Sequence, residues 1–361
     1  MNRLTAIGLA SLVAYGVLIA TKYSAVVSAA REEKAPVRMA SIDSRDEDVV
    51  AVNPAPAPRP VPFAAPRALA PERAHASAIA IEFRQARDLK AFADELLARK
   101  ATLTADERYH LARALEECQF ATSLTEDIAA YAARQRKQFL AGLPLNDPNN
   151  AKRIAAYEAV DNTQRCARFQ GTKISQKDID DLFQQAAQEG DVRAQARILV
   201  AELNKNLNQQ HSSDTSQPVP AIAPDDFSRI IGLLQTRDPE AMIIVGQFLA
   251  QSNVASQLRI GPNGEVPEPS SFLGAFSLVA CDLGPDCTSL SREPQLACAY
   301  GGYCNSASFE ELYQNFLASP WAYAQAVRYS GIILTAINTQ NWSLIGLQPP
   351  LLDKARTAPV Q

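Results

Sequence analysis

A chain of 361 residues with 47% hydrophobic content is long enough for one to three domains and carries ample apolar material for a large core. Charged residues make up 20% and nearly cancel, to a formal net charge of -4, with both signs interspersed along the helical stretches. This balance excludes the basic footprint of a nucleic-acid-binding protein, and the apolar content excludes a wholly disordered polymer.

Arg3 precedes an apolar run from Leu4 to Ala20, followed by Lys22 and a small-residue stretch ending in Ala29 and Ala30. Residues 1–30 therefore read as an export signal cleaved after Ala29 or Ala30, or as an N-terminal membrane anchor formed by residues 4–20. Either outcome carries residue 31 onward across a membrane. Residues 31–75 are rich in proline and alanine, with Pro54, Pro56, Pro58, Pro60, Pro62, Pro66 and Pro71 closely spaced. Each proline removes a backbone donor and biases its predecessor toward extended geometry, so a polyproline-like spacer is expected. At about 3.1 Å per residue it would reach on the order of 100 Å.

Residues 76–345 carry helical signals in succession and almost no strand signals. Ile79 to Arg99 places Ile81, Phe83, Ala86, Leu89, Phe92, Leu96 and Leu97 on one stripe and predicts one helix. Thr104-Ala-Asp-Glu107 is a capping box opening a helix through Cys118, and Ser123-Leu-Thr-Glu126 has the same form ahead of a helix to about Leu143. Asp147-Pro148 supplies an N-cap and first-turn proline for a helix carrying Cys166 and ending at Gly171. Ser175 opens a helix to Gly190, and Asp191 opens another to about Asn204. Asn206 to Pro224 is polar and proline-bearing, hence a surface loop. Helices follow over Asp225–Thr236, Asp238–Ser252, Ser271–Leu283, Ser308–Ala318 and Trp321–Thr339, with residues 346–361 as a tail. The expected fold is all-α, an irregular α-solenoid or bundle of antiparallel helix pairs braced by disulfides.

Asp191-Val-Arg-Ala194 and Asp238-Pro-Glu-Ala241 open corresponding helices 47 positions apart. The segment Ala186-Ala-Gln-Glu-Gly190-Asp191-Val-Arg-Ala194-Gln195 resembles the turn of the Sel-like branch of the tetratricopeptide repeat superfamily, across roughly residues 175–255. Gly190 would take the left-handed helix cap and Asp191 the following N-cap. The resemblance implies a protein-binding superhelical scaffold without catalytic residues of its own.

Cys281-Asp-Leu-Gly284-Pro-Asp-Cys287 and Cys298-Ala-Tyr-Gly301-Gly-Tyr-Cys304 both read C-x-x-G-x-x-C. Structural zinc sites favour cysteines two to four apart joined by paired histidines, and His75, His110 and His211 lie far from this cysteine-rich part, 281–304. With export inferred independently, oxidation is the better explanation. A left-handed cap at Gly284 and Gly301 would reverse each chain and favour the local pairs Cys281 with Cys287 and Cys298 with Cys304, among three possible pairings. Cys118 and Cys166 then pair with each other, closing a loop worth about 4 kcal/mol. Redox catalysis is disfavoured because the first cysteine of each motif sits at a helix end, where the dipole opposes a thiolate.

The motifs of nucleophilic, metallo- or phosphate-binding catalysis are missing, and His110 reads as a partly buried helix residue rather than a partner of Cys118. Phe309, Leu312, Tyr313, Phe316, Leu317, Trp321, Tyr323 and Tyr329 form an aromatic-rich stripe that suits either packing against the cysteine region or stacking on a ligand. The sequence thus predicts a non-catalytic, exported interaction scaffold without a cofactor, whose partner is another envelope protein or peptide. The rival readings are an envelope hydrolase with an unrecognised site and a structural tether.

Overall fold

The computed structural model describes residues 76–211, 222–284, 287–288 and 291–348. The export segment 1–30, the spacer 31–75, residues 212–221 of the predicted loop and residues 349–361 lie outside the described residues. The described residues are all-α, with isolated bridges at Ile260–Glu265 and Thr288–Ser308 as the only β pairing among them. None of their helices is long and apolar enough to cross a membrane.

The stripe at residues 79–99 forms two helices, α1 (Ala78–Gln85) and α2 (Leu89–Ala98). Asp88 breaks it, because its carboxylate accepts the amides of Lys90 and Ala91 at 3.0 Å and so opens a new helix. Arg165 takes the carbonyls of Phe83 and Ala86 at the end of α1, at 2.6 and 2.8 Å. The Thr104 capping box forms in both directions and opens α3 (Ala105–Thr122). The next helix, α4 (Ile128–Ala141), is capped by Asp127 rather than Ser123, whose hydroxyl instead donates to Phe120 O at the end of α3.

Asp147 and Pro148 sit one turn ahead of α5 (Asn150–Val160), and Cys166 belongs to a separate turn, α6 (Thr163–Cys166). Asp161 causes the second break by accepting the Thr163 amide at 2.9 Å. Ser175 caps α7 (Gln176–Gln188), and α8 (Val192–His211) runs about two turns beyond the expected Asn204. Leu199, Leu203 and Leu207 recur at helical spacing and are buried, which draws the polar segment Asn206–His211 into the helix.

The remaining elements are α9 (Pro224–Gln235), α10 (Pro239–Leu249), α11 (Ser252–Ala255), α12 (Pro269–Leu283), α13 (Arg292–Gly301), α14 (Phe309–Leu312) and α15 (Pro320–Thr339). Proline stands at the first position of α9, α10, α12 and α15, where its missing amide costs no helical bond. The 3-10 turn Trp342–Ile345 buries Trp342, and Leu347 also lies in the core, so packed chain extends past residue 345.

Packing follows chain order for much of the molecule: α2 on α3, α3 on α7, α7 on α8, α8 on α10, α10 on α12 and α12 on α15, with α9 against α8 and α10. Two large apolar clusters result, one spanning Leu89 to Ala194 and the other Ala196 to Leu347. Helix α8 serves both, with Ala194 in the first and Ala196, Leu199 and Leu203 in the second. Helix α5 packs apart from this series, against α13.

Candidate functional site

The two turns singled out by their aspartates have matching geometry. At the first, Gly190 adopts φ 101° and the Asp191 carboxylate accepts the amides of Arg193 and Ala194, each at 3.0 Å. At the second, Arg237 takes the left-handed position with φ 58°, and Asp238 accepts the Ala241 amide at 2.8 Å. Ala194 and Ala241 are both buried, as small residues at a close helix crossing should be.

These turns meet at a charged junction. Arg193 donates to Asp106 Oδ1 at 2.6 Å and to Asp191 Oδ2 at 2.5 Å, with its guanidinium 4.2 Å from the Tyr109 ring centre. The Tyr109 hydroxyl donates to Glu240 Oε1 at 2.5 Å, and Arg113 pairs with the same carboxylate. Burial pushes the Asp106 carboxyl up, but hydrogen bonds from His110, Arg193 and Ser77 outweigh it and hold the group well below the usual carboxylate range. Burial likewise opposes the charge on Glu240, and the Arg113 charge together with the Tyr109 hydroxyl overcomes it, again lowering the pKa. Burial leads in raising Asp238 above its ordinary value, with the Glu240 and Asp191 charges adding to it.

The junction's chemistry is therefore mutual neutralisation, which fixes α3, α8 and α10 to one another. His110 is buried and directs Nδ1 to Asp106, while Cys118 is bonded to Cys166 with a Cα separation of 5.1 Å. The possible Cys/His pair on α3 is thus divided between two other contacts.

Both short cysteine motifs close on themselves, with Cα separations of 5.5 Å for Cys281–Cys287 and 4.3 Å for Cys298–Cys304. The expected glycine caps need correction. Gly284 is extended, at φ -93° and ψ 168°, and Gly301 remains helical; the left-handed residue is Gly302, at φ 78°. In the first motif Phe309 N donates to Cys287 O at 2.8 Å, so pairing with the start of α14 replaces the cap as the source of chain reversal. In the second, the amides of Gly302 and Tyr303 return to the carbonyls of Cys298 and Ala297.

Helix α5 braces this second clasp. Arg153, buried between the two, donates to the carbonyls of Ala299 and Tyr300 at 3.0 and 3.2 Å and to Asp147 at 3.0 Å. A guanidinium there satisfies free carbonyls and complements the negative end of the α13 dipole. Phe139 stacks on Tyr157 at 4.2 Å behind it. Burial pushes the Tyr157 hydroxyl up to about 12, with the Asp161 charge adding to the shift, so this wall stays neutral.

Between α5 and the clasp lies a cleft of about 200 Å³. Ala155, Ala156 and Ala159 form one wall, and Pro294, Gln295 and Cys298 of α13 the other. Tyr303, Cys304 and Ser306 complete it. Among the described residues, no formally charged side chain lines it. Ser306 is 6% exposed, and its hydroxyl has no hydrogen-bond partner among the described residues. The lining among the described residues can accept a small uncharged group and hydrogen-bond it.

The rim is aromatic. Tyr303 stacks on Phe316 with centroids 4.9 Å apart, and Phe316, Leu317 and Trp321 remain exposed. The stripe expected from sequence is thus divided: Leu312, Tyr313 and Tyr329 pack inward, while the π-helical turn Tyr313–Leu317 leaves its last two residues outside. Sequence reasoning missed Ala155, Ala159 and Ser306, which carry no motif and meet the clasp only through long-range packing of α5 on α13. Comparison of the chain with protein-family models, with curated proteins and with solved structures finds no match.

Proposed function

We propose that this chain is an exported, non-catalytic interaction scaffold of Sel-like character, and that the cleft between α5 and the Cys298–Cys304 clasp is its recognition surface. The observation that carries the reading is the cleft itself: a recess that, among the described residues, is uncharged and holds an unpartnered buried hydroxyl, continuous through Tyr303 with an exposed aromatic rim. At about 200 Å³ it is smaller than the roughly 300–1,000 Å³ of small-molecule pockets, and it suits one or two residues of a polypeptide. Exposed aromatics beside a recess are the usual anchors of peptide recognition. The partner is an uncharged segment of another envelope protein or peptide. Pairing of all six cysteines agrees with an oxidising compartment, the destination implied by residues 1–30.

Ala159→Trp tests the assignment by filling the cleft from the α5 wall. Complexes formed by the full-length chain in its native cells should be lost in this variant while its circular dichroism and melting temperature stay close to those of the parent. Complexes of unchanged composition and yield would contradict the assignment.

A further inference from the structure

We propose that the cleft is the pocket for a tyrosine side chain, the anchor residue by which the envelope partner is held. This rests on the reading of the cleft as a recognition surface and adds the chemistry of its occupant.

Size and shape select a ring. A benzene ring occupies a cavity of about 150 Å³ and a water-sized oxygen takes about 30 Å³ more, so a phenol suits a cleft of about 200 Å³. Ala155 and Ala159 stand one turn apart on α5, and their small side chains leave a slot between this helix and Cys298 of α13 that a planar group can enter. A serine, threonine or asparagine side chain would leave much of that volume unfilled and forfeit dispersion contacts with the lining. The Cys298 and Cys304 sulfurs are polarisable and gain from contact with a ring. Tyr303, stacked on Phe316 with centroids 4.9 Å apart, adds an aromatic surface at the rim.

Polarity then separates tyrosine from the other rings. The buried Ser306 hydroxyl has no hydrogen-bond partner among the described residues, and a phenylalanine ring in the cleft would leave it so. Serine has three staggered side-chain positions, so a ligand oxygen arriving in the cleft can draw this hydroxyl into a bond. A phenol both donates and accepts, as does the Gln295 amide in the same lining. It is also uncharged near neutral pH. A carboxylate or ammonium would lose hydration against the described lining, which offers no counter-charge. An indole N–H only donates, and its double ring is larger than the single ring that the volume suits.

The same hydroxyl separates binding from folding. Without a partner it contributes little to the unbound fold, so Ser306→Ala should melt at or above the temperature of the parent while losing selectivity for a hydroxylated ring. A merely structural serine would do the reverse, lowering the melting temperature and leaving selectivity as it was.

The test titrates p-cresol, the tyrosine side-chain analogue, and toluene, the phenylalanine analogue, into the purified full-length chain and follows both ligands by saturation-transfer NMR. A ligand of p-cresol's size should bind with a Kd on the order of 1 mM. Toluene should bind about three- to tenfold more weakly, the worth of one neutral hydrogen bond. Ser306→Ala should bring the two to equal affinity at an undiminished melting temperature, and Ala159→Trp should abolish both. Equal affinities in the parent, a p-cresol preference that survives Ser306→Ala, or p-cresol binding that survives Ala159→Trp would overturn the proposal. So would the absence of p-cresol binding; if partner complexes then still depend on Ala159, the recognition surface stands and the tyrosine assignment falls. Loss of p-cresol binding in Ala159→Trp with partner complexes unchanged would instead leave a phenol pocket and overturn its role in recognition.

Discussion

The Tyr109 hydroxyl donates to Glu240 Oε1 at 2.5 Å, joining residues 131 positions apart and tying the first apolar cluster to the second. Tyr109 is fully buried beneath Arg193, so its hydroxyl has no water to turn to. Tyr109→Phe should cost roughly 1–2 kcal/mol of stability, the range for a hydrogen bond to a charged acceptor. Chemical denaturation reads this as a lower midpoint with an unchanged slope.

The same junction sets the acid response. Asp106 and Glu240 have lower pKa values folded than unfolded, so the unfolded chain takes up their protons first as pH falls. Their contribution is complete above their ordinary values of 3.8 and 4.5 and decays as pH drops below them. Asp238 works the other way: raised by burial, it destabilises the charged fold near neutrality and is relieved on protonation. Melting temperature should hold between pH 6 and 8, within about 2 °C, and fall steadily below about pH 4.5. Glu240→Gln should flatten that fall while lowering stability at neutral pH.

The three disulfides should differ in what their loss does. Cys118–Cys166 spans 48 positions, so opening it releases about 4 kcal/mol of chain-entropy stabilisation, against about 2 kcal/mol for the six-position clasps. Cys298→Ser with Cys304→Ser should therefore leave a folded protein whose recognition is impaired, because both cysteines line the cleft. Mass analysis of the non-reduced mature protein should detect no free thiol.

Helices α10 and α12 cross at Gly246, where an added methyl would fall within the contact radius of Phe276 Cβ. Gly246→Ala should destabilise by about 1–3 kcal/mol through overpacking, although Ala favours helix intrinsically. A neutral or stabilising effect in thermal denaturation would show that the crossing relaxes.

Much of this architecture was legible in local chemistry. The Thr104 capping box and the caps at Ser175, Asp191 and Asp238 use side chains that bond amides two or three residues away, so sequence alone carries the information. The misread boundaries were contests between local signals: Asp127 won over Ser123, and Asp88 split a continuous apolar stripe. Left-handed geometry at Gly302 rather than Gly301 was a similar near-neighbour choice. The cleft was illegible for a different reason, since Ala155, Ala159 and Ser306 acquire meaning only when α5 docks on α13. Arg153 marks that docking by reaching carbonyls nearly 150 positions away.

The most direct measurement places a photoreactive residue at Gln295, on the cleft wall, or at Leu97, an exposed apolar position on α2, in the full-length chain in its native cells. The recognition surface proposed at the clasp predicts discrete adducts from position 295 that disappear with Ala159→Trp, and none from position 97. Identical adduct patterns from both positions, or adducts at 295 that survive cleft filling, would contradict it.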